Sequence, residues 1–164
     1  MHPPVTAFAL PDVPTKIQPF GRGHINETFR VWTDSGTFLL QRVNSRVFPD
    51  PEAVMANAER IIAHLRNRLI AEGVPDVDRR CLDLIPSRDG RSWVRDATGA
   101  LWRCWSFLEG TRSLTRVEDP TQAETVAFAY GRFLRHLEDL PGPPLHTTIP
   151  HFQDGMHRLE AFHR

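Results

Sequence analysis

Two glycines separated by one residue, Gly21 and Gly23, lie between strand-like runs near the start of the chain and are followed by His24 and Asn26. Because glycine has no Cβ, such a turn lets backbone N–H groups approach a phosphate closely. Paired glycines also occur in hairpins for conformational reasons alone, and the third glycine of the dinucleotide-binding fingerprint is absent here. The turn is therefore a candidate phosphate-binding loop that needs support from other residues.

A positive charge that contacts the phosphates is the second requirement of such a site. Arg42 lies on the third strand-like run, and Leu40, two residues earlier on the same strand face, could pack on a base. The helix that follows carries Glu59, which we expect to pair with Arg42 and hold it in place, with Glu52 as the competing partner. The alternatives are a surface arginine on an edge strand and glutamates that are simply solvated.

A strand that runs into a linker is the third feature. The apolar run that begins near residue 100 ends at Phe107 and Leu108, directly before Glu109 and Gly110. An extended linker exposes alternating backbone N–H and C=O groups, which can hydrogen-bond to adenine as a base pair does. Phe107 and Leu108 would then flank the base, whereas the alternative is a plain strand end with Gly110 as a turn residue.

The elements that must position these residues follow from periodicity and turn signals. Strands are predicted at 17–20, 28–32, 38–43, 81–85, 92–95 and 100–107, and helices at about 50–72, 119–140 and from about 154. Hairpins dominate and a single helix interrupts the strands, which does not fit the regular alternation of a parallel α/β sheet. The order predicts an α+β fold: a protein-kinase-like N-terminal lobe, with an antiparallel sheet of five or six strands and one αC-type helix, followed by the start of a helical C-terminal lobe.

Composition shifts along the chain give the expected domain boundaries. The proline-rich residues 1–15 are predicted to be extended or loosely attached. Residues 16–108 form the sheet lobe, 109–118 the linker between lobes, and 119–164 the beginning of the helical lobe.

Charge and residue counts exclude several classes of protein. The chain has 164 residues with 20 Lys+Arg against 20 Asp+Glu, and this balance argues against an electrostatic nucleic-acid binder. It has neither an apolar run of membrane-spanning length nor the pattern of a signal peptide, so we expect a cytoplasmic protein without membrane partners. Its two cysteines, Cys81 and Cys104, are predicted to be buried, and its eight histidines lack metal-ligand spacing, so no metal site is predicted.

Taken together, the motifs resemble the aminoglycoside phosphotransferase and choline kinase superfamily, and within it most closely the N-acetylhexosamine 1-kinase group. The resemblance covers roughly residues 17–164 and rests on five segments: Phe20–Phe29 with its GHIN-x-T, Phe38–Asn44 with LQR-x-N, Val47–Pro51, Val54–Asn57, and His146–Phe152 with H-x-x-IP-x-F. The combination is much more specific than any single segment.

The resemblance implies phosphoryl transfer from ATP, with Mg²⁺, to the anomeric hydroxyl of an N-acetylhexosamine. It implies nucleotide contacts by Gly21, Gly23, His24, Asn26, Arg42, Glu59, Phe107 and Leu108, and it places the sugar near His146, Ile149 and Phe152. Two alternatives stay open: a kinase for another hydroxylated small molecule such as an aminoglycoside, choline or homoserine, and a non-catalytic module that binds a nucleotide or a protein.

Catalysis in this superfamily also uses a catalytic-loop aspartate, an asparagine a few residues later and a metal-binding aspartate. The family places them in the C-terminal lobe, and no matching motif occurs up to Arg164. We therefore expect no catalytic residue in this chain and no activity from the chain alone. We expect it to be the N-terminal part of a longer protein rather than a degenerate relative, with an exposed apolar surface on its second long helix that self-associates or binds a partner.

Overall fold

A computed structural model describes residues 3–21, 23, 25–111, 114 and 116–163. Six strands and four helices follow a short 3-10 turn at Val5–Ala7: β1 (Lys16–Pro19), β2 (Glu27–Trp32), β3 (Thr37–Arg42), α1 (Pro51–Ala71), α2 (Val77–Arg80), β4 (Leu84–Ile85), β5 (Trp93–Arg95), β6 (Leu101–Ser106), α3 (Pro120–Leu137) and α4 (Gly155–Phe162). The predicted α+β fold, with a sheet lobe followed by helices, is confirmed.

The sheet is antiparallel in every described pairing, with the strand order β1-β2-β3-β6-β4 and with β5 also paired to β6. The three N-terminal strands form the predicted meander, and β6 returns to pair with β3 after the helices α1 and α2. Directly opposed residues of antiparallel strands point to the same face of a sheet. The register therefore assigns every strand residue to one of two faces.

One face of the sheet is sealed by the N-terminal segment, and we call it the closed face. It carries Val31, Leu40 and Trp102, which share a core cluster with Val5 and Phe8. Phe8 is only 1% exposed and forms a β-bridge to Ser87. The N-terminal residues were predicted to be extended or loosely attached; the structure shows that they are attached, because Val5 and Phe8, which lie between Pro4 and Pro11, pack their apolar side chains into the core.

The other face holds α1, and we call it the cleft face. Met55 of α1 is fully buried against Val43 and Leu101. The helix begins where the sequence predicts, because the Asp50 side chain accepts a hydrogen bond from the Ala53 backbone N–H at 3.0 Å. On the same face, Arg30 of β2 and Leu39 of β3 line a pocket together with the linker residues Phe107 and Leu108.

The helix α3 packs against α1. At its C-terminal end, the backbone oxygen of His136 lies 2.8 Å from His64 Nε2, and His136 Nε2 lies 3.1 Å from a Glu72 carboxylate oxygen. Four of its apolar side chains are more than half exposed: Val126, Phe128, Tyr130 and Leu134. The exposure predicted for the second long helix is therefore present in this structure.

No helix among the described residues is both long and apolar enough to cross a bilayer.

Candidate functional site

A pocket at the end of β6 forms the centre of the candidate site, and we call it the linker pocket. It has a volume of about 410 Å³ and is lined by the predicted linker residues Phe107 and Leu108 together with Leu39 from the cleft face and Phe20 from the end of β1. The rings of Phe20 and Phe107 meet edge to face with centroids 5.6 Å apart. An apolar, aromatic wall beside an extended linker is the environment that a planar base requires.

Arg30 closes one side of the linker pocket. Its guanidinium carbon lies 4.2 Å from the Phe107 ring centroid, and its Nη2 donates to a Glu109 carboxylate oxygen at 2.6 Å. The ion pair spans from β2 to the linker, so it fixes the strand that carries the glycine loop relative to the residues that would face the base. Arg30 has no counterpart among the sequence predictions, because only the register reveals that it faces the pocket.

The glycine loop has the open geometry that phosphate binding needs. Gly21 has a φ of +82°, which favours glycine, whereas a Cβ added at Gly23 would meet no atom within 4 Å. The loop borders a second cavity of about 250 Å³, and Phe20 lines both this cavity and the linker pocket. The predicted phosphate loop and the predicted base pocket are therefore adjacent. His24 lies outside the described residues.

Asn26 anchors the glycine loop to the end of β3. Its Oδ1 accepts the backbone N–H of Asn44 at 3.1 Å, and the Asn44 amide donates to the Ile25 carbonyl at 2.9 Å. The two motifs that contain these asparagines thus meet in space. Since its side-chain oxygen is engaged within the protein, Asn26 acts on the loop's conformation, and its predicted nucleotide contact stays a prediction.

Arg42 lies on the closed face, opposite the linker pocket. Its Nη1 donates to a Glu27 carboxylate oxygen at 2.7 Å. The predicted ion pair with Glu59 or Glu52 is wrong for this structure, because both glutamates belong to α1 on the cleft face. The Glu59 carboxylate accepts from the Ser92 hydroxyl, and Glu52 pairs with Arg95 at 2.7 Å.

Leu40, which was predicted to pack on a base, also lies on the closed face. Leu40 is 0% exposed within the closed-face core, and its neighbour Leu39 lines the linker pocket instead. Because a shift of one residue exchanges the two faces of a strand, the predictions for Leu40 and Arg42 fail for the same reason: both residues lie on the closed face. A nucleotide contact by Arg42 stays a prediction that this placement does not favour.

A row of polar side chains crosses the cleft face beside the glycine loop. Thr28, Gln41 and Arg103 are directly opposite one another on β2, β3 and β6. Gln41 Nε2 donates to the Thr28 hydroxyl at 3.1 Å, and Gln41 Oε1 accepts from Arg103 Nε and Trp105 Nε1, each at 3.1 Å. Burial lowers the pKa of Arg103 to about 10. Sequence reasoning missed this row because Gln41 and Arg103 are far apart in the chain.

Of the tail residues predicted to border the sugar, His146 contacts α1 through its backbone. The side-chain amide of Asn57 brackets the backbone of His146: it donates to the His146 carbonyl and accepts its N–H, both at 2.9 Å. Ile149 is partly buried and accepts a backbone hydrogen bond from Phe152, whose side chain is exposed. Their role near an acceptor stays a prediction.

Metal ligands are not grouped in the part of the chain that the structure describes: no three His, Cys, Asp or Glu side chains there could hold one ion. These residues therefore do not fit a Mg²⁺ site by themselves. They do fit the base and phosphates of a nucleotide, because Arg30 and Leu39 of the linker pocket and the partly buried Arg103 lie on the same face of the sheet.

Comparison with known families gives one match. The model of a family described as the phosphotransferase enzyme family, APH, matches residues 16–162. The matched range includes the glycine loop, the polar row, the linker pocket and both long helices.

Proposed function

Because the chain belongs to the phosphotransferase enzyme family, whose model matches residues 16–162, we propose that it forms the nucleotide-binding part of an ATP-dependent kinase acting in the cytoplasm. The reaction is transfer of the terminal phosphoryl group of ATP to a hydroxyl of a small molecule. The described residues supply binding and orientation of ATP rather than proton transfer or metal coordination.

The observation that carries the proposal is the continuity between the linker pocket and the glycine loop. Phe20 lines both the linker pocket and the cavity at the glycine loop, so a base against Phe107 would direct its phosphates toward Gly23. The space beside Gly23 is open, and no other described residue needs a glycine there. A base pocket and a phosphate loop in this order are what a nucleotide-binding cleft requires.

For the acceptor, we propose the anomeric hydroxyl of an N-acetylhexosamine. The support is the set of motifs shared with that group of kinases, two of which are brought into contact here through Asn57 and the His146 backbone. This clamp fixes the start of the 146–152 segment against α1.

We further propose that the 164-residue chain alone does not catalyse the transfer, and that a following segment of a longer protein supplies the catalytic aspartate and the Mg²⁺ ligands. The charge on the transferred phosphoryl group needs these partners. The exposed apolar side chains of α3, among them Val126 and Tyr130, would then pack against that segment.

Nucleotide binding is tested by calorimetry with ATP on the 164-residue chain. We expect measurable binding that Phe107→Ala weakens about tenfold, because the base loses its aromatic wall. The matched control is Phe162→Ala on α4, whose ring is exposed and far along the chain from the pocket. Absence of ATP binding by the unaltered chain, or equal effects of both substitutions, would contradict the proposal.

The acceptor is tested after sequencing the coding DNA beyond codon 164. We expect an in-frame continuation with an H-x-D-x-x-x-x-N motif, and a protein from that frame that forms ADP with N-acetylhexosamines but not with choline, homoserine or an aminoglycoside. Turnover of another member of this panel would correct the acceptor. A stop codon directly after Arg164 would refute the two-part enzyme.

A further inference from the structure

Arg103 is a strand arginine of the described structure without a carboxylate partner. The other two partly buried strand arginines are paired, Arg30 with Glu109 and Arg42 with Glu27. Arg103 forms no ion pair with any described residue, although burial has removed enough water to lower the pKa of its guanidinium to about 10. A charge withdrawn from water in this way is unfavourable unless an anion joins it.

The contacts of Arg103 leave its terminal donors available. Its Nε is used by Gln41, and the guanidinium stacks on Trp105 at 4.9 Å from the ring centroid. For the terminal nitrogens, the described residues offer only the sulfur of Met55, which lies 3.9 Å from Nη1 and is a weak acceptor. The side chain is therefore held in orientation while its two-nitrogen edge lacks an oxygen partner.

The position of Arg103 suits an anion that lies under the glycine loop. It is two strands from Thr28, which follows that loop on β2, and Gln41 connects the two side chains by hydrogen bonds. Neighbouring opposed residues are about 5 Å apart, so the row spans about 10 Å. An extended arginine covers a large part of that distance, and its planar edge matches phosphate oxygens.

We propose that Arg103, positioned by Gln41, is the residue of this lobe that contacts the phosphates of the bound nucleotide. The inference rests on the proposed ATP-binding function and assigns to β6 the charge that the sequence had placed on β3 at Arg42. Gln41 is a positioning residue, since its amide oxygen fixes Arg103 Nε and Trp105 Nε1 together.

The test compares the affinities of ATP and adenosine, because adenosine has the base without the phosphates. For Arg103→Met we expect ATP affinity at least tenfold lower and adenosine affinity within twofold of the unaltered chain. Arg42→Met is the direct competitor, and Arg91→Met, at an exposed turn, controls for the loss of one positive charge. Circular dichroism and Arg103→Lys, which keeps the charge, separate a binding effect from a folding defect.

Each outcome decides whether Arg103 or Arg42 contacts the phosphates. Unchanged ATP affinity in Arg103→Met, or a larger loss in Arg42→Met, would overturn the role of Arg103. Equal loss of ATP and adenosine in a folded Arg103→Met variant would show a structural role and also overturn it. If the unaltered chain binds neither ligand, the proposed nucleotide-binding function itself fails, which is distinguishable from failure of the arginine assignment alone.

Discussion

The cleft face offers two neighbouring positions for one positive charge, Arg103 on β6 and Gln41 directly opposite on β3. If the charge rather than the particular strand matters, Gln41→Lys should restore ATP binding in a chain that carries Arg103→Met. Opposed side chains lie about 5 Å apart, so a lysine stem at position 41 reaches the same region.

The expected change in ATP affinity follows from the loss of a hydrogen bond to a charged group. A hydrogen bond to a charged group contributes about 1.5–3 kcal/mol, and about 1.4 kcal/mol corresponds to a tenfold change in affinity. Arg103→Met should therefore weaken ATP binding by about 10- to 100-fold. The double variant should recover roughly tenfold, and less than the whole loss, because an ammonium lacks the two-nitrogen edge of arginine.

The assay is titration calorimetry with ATP, at constant ionic strength, on the unaltered chain, both single variants and the double variant. Gln41→Lys alone should bind ATP no more tightly than about twofold above the unaltered chain, because its ammonium lies beside Arg103 and the two like charges disfavour each other. If the double variant binds as weakly as Arg103→Met, the charge at this row does not serve the phosphates and the reasoning is refuted.

Three further predictions concern stability and the loop. The Asp96 carboxylate accepts hydrogen bonds that lower its pKa from 3.8 to about 2, and the hydrogen bond from the Thr98 side chain contributes most. The ionised carboxylate therefore stabilises the folded state fully above pH 4, and this stabilisation is lost as the pH falls toward 2. Asp96→Asn should lower the free energy of unfolding, measured with urea, by about 1 kcal/mol at pH 7, after allowance for solvent screening, and by little at pH 2. An equal loss at both pH values would contradict this prediction. Asn57→Ala should speed hydrogen exchange at the His146 amide, whose N–H the Asn57 side chain accepts, while the strands stay protected; unchanged exchange at His146 would remove the clamping role of Asn57. Gly23→Ala should leave thermal stability unchanged but lower ATP affinity about tenfold, and a loss of stability would point to a conformational need instead.

Helix starts and turns were predictable because their causes are local. Asp50 and Asp119 begin α1 and α3 as expected, each accepting a hydrogen bond from a backbone N–H three residues later, at 3.0 and 2.8 Å. Asp154 caps α4 in the same way. Such signals need only neighbouring residues, so the order of strands and helices, and with it the fold class, could be derived from the sequence.

The faces of β3 were not predictable because this strand carries apolar side chains on both faces. Phe38 and Leu40 pack on the closed face, whereas Leu39 lines the linker pocket. The apolar run therefore loses the alternation that would mark an inner and an outer face. Without that signal, the choice between Gln41 and Arg42 depends on strand register, which only long-range pairing with β6 determines.

The packing of residues 1–15 on the closed face was not predictable either. Prolines correctly indicated that no long helix or strand forms there, yet Val5 and Phe8 find their partners on β2, β3 and β6. These contacts join residues distant in sequence, so composition alone gave no sign of them. The segment therefore contributes Val5 and Phe8 to the core of the closed face.

The polar row from Thr28 to Arg103 has a consequence for how kinases of this kind are compared. Opposed side chains lie about 5 Å apart, so long side chains on two neighbouring strands reach the same region, and the role proposed for Arg103 is a phosphate contact that has moved from β3 to β6. In a column-by-column alignment, such a move looks like the loss of a phosphate-contacting residue. A lobe sorted as inactive on that criterion would keep its affinity for nucleotides, and a comparison by sheet face would recover it.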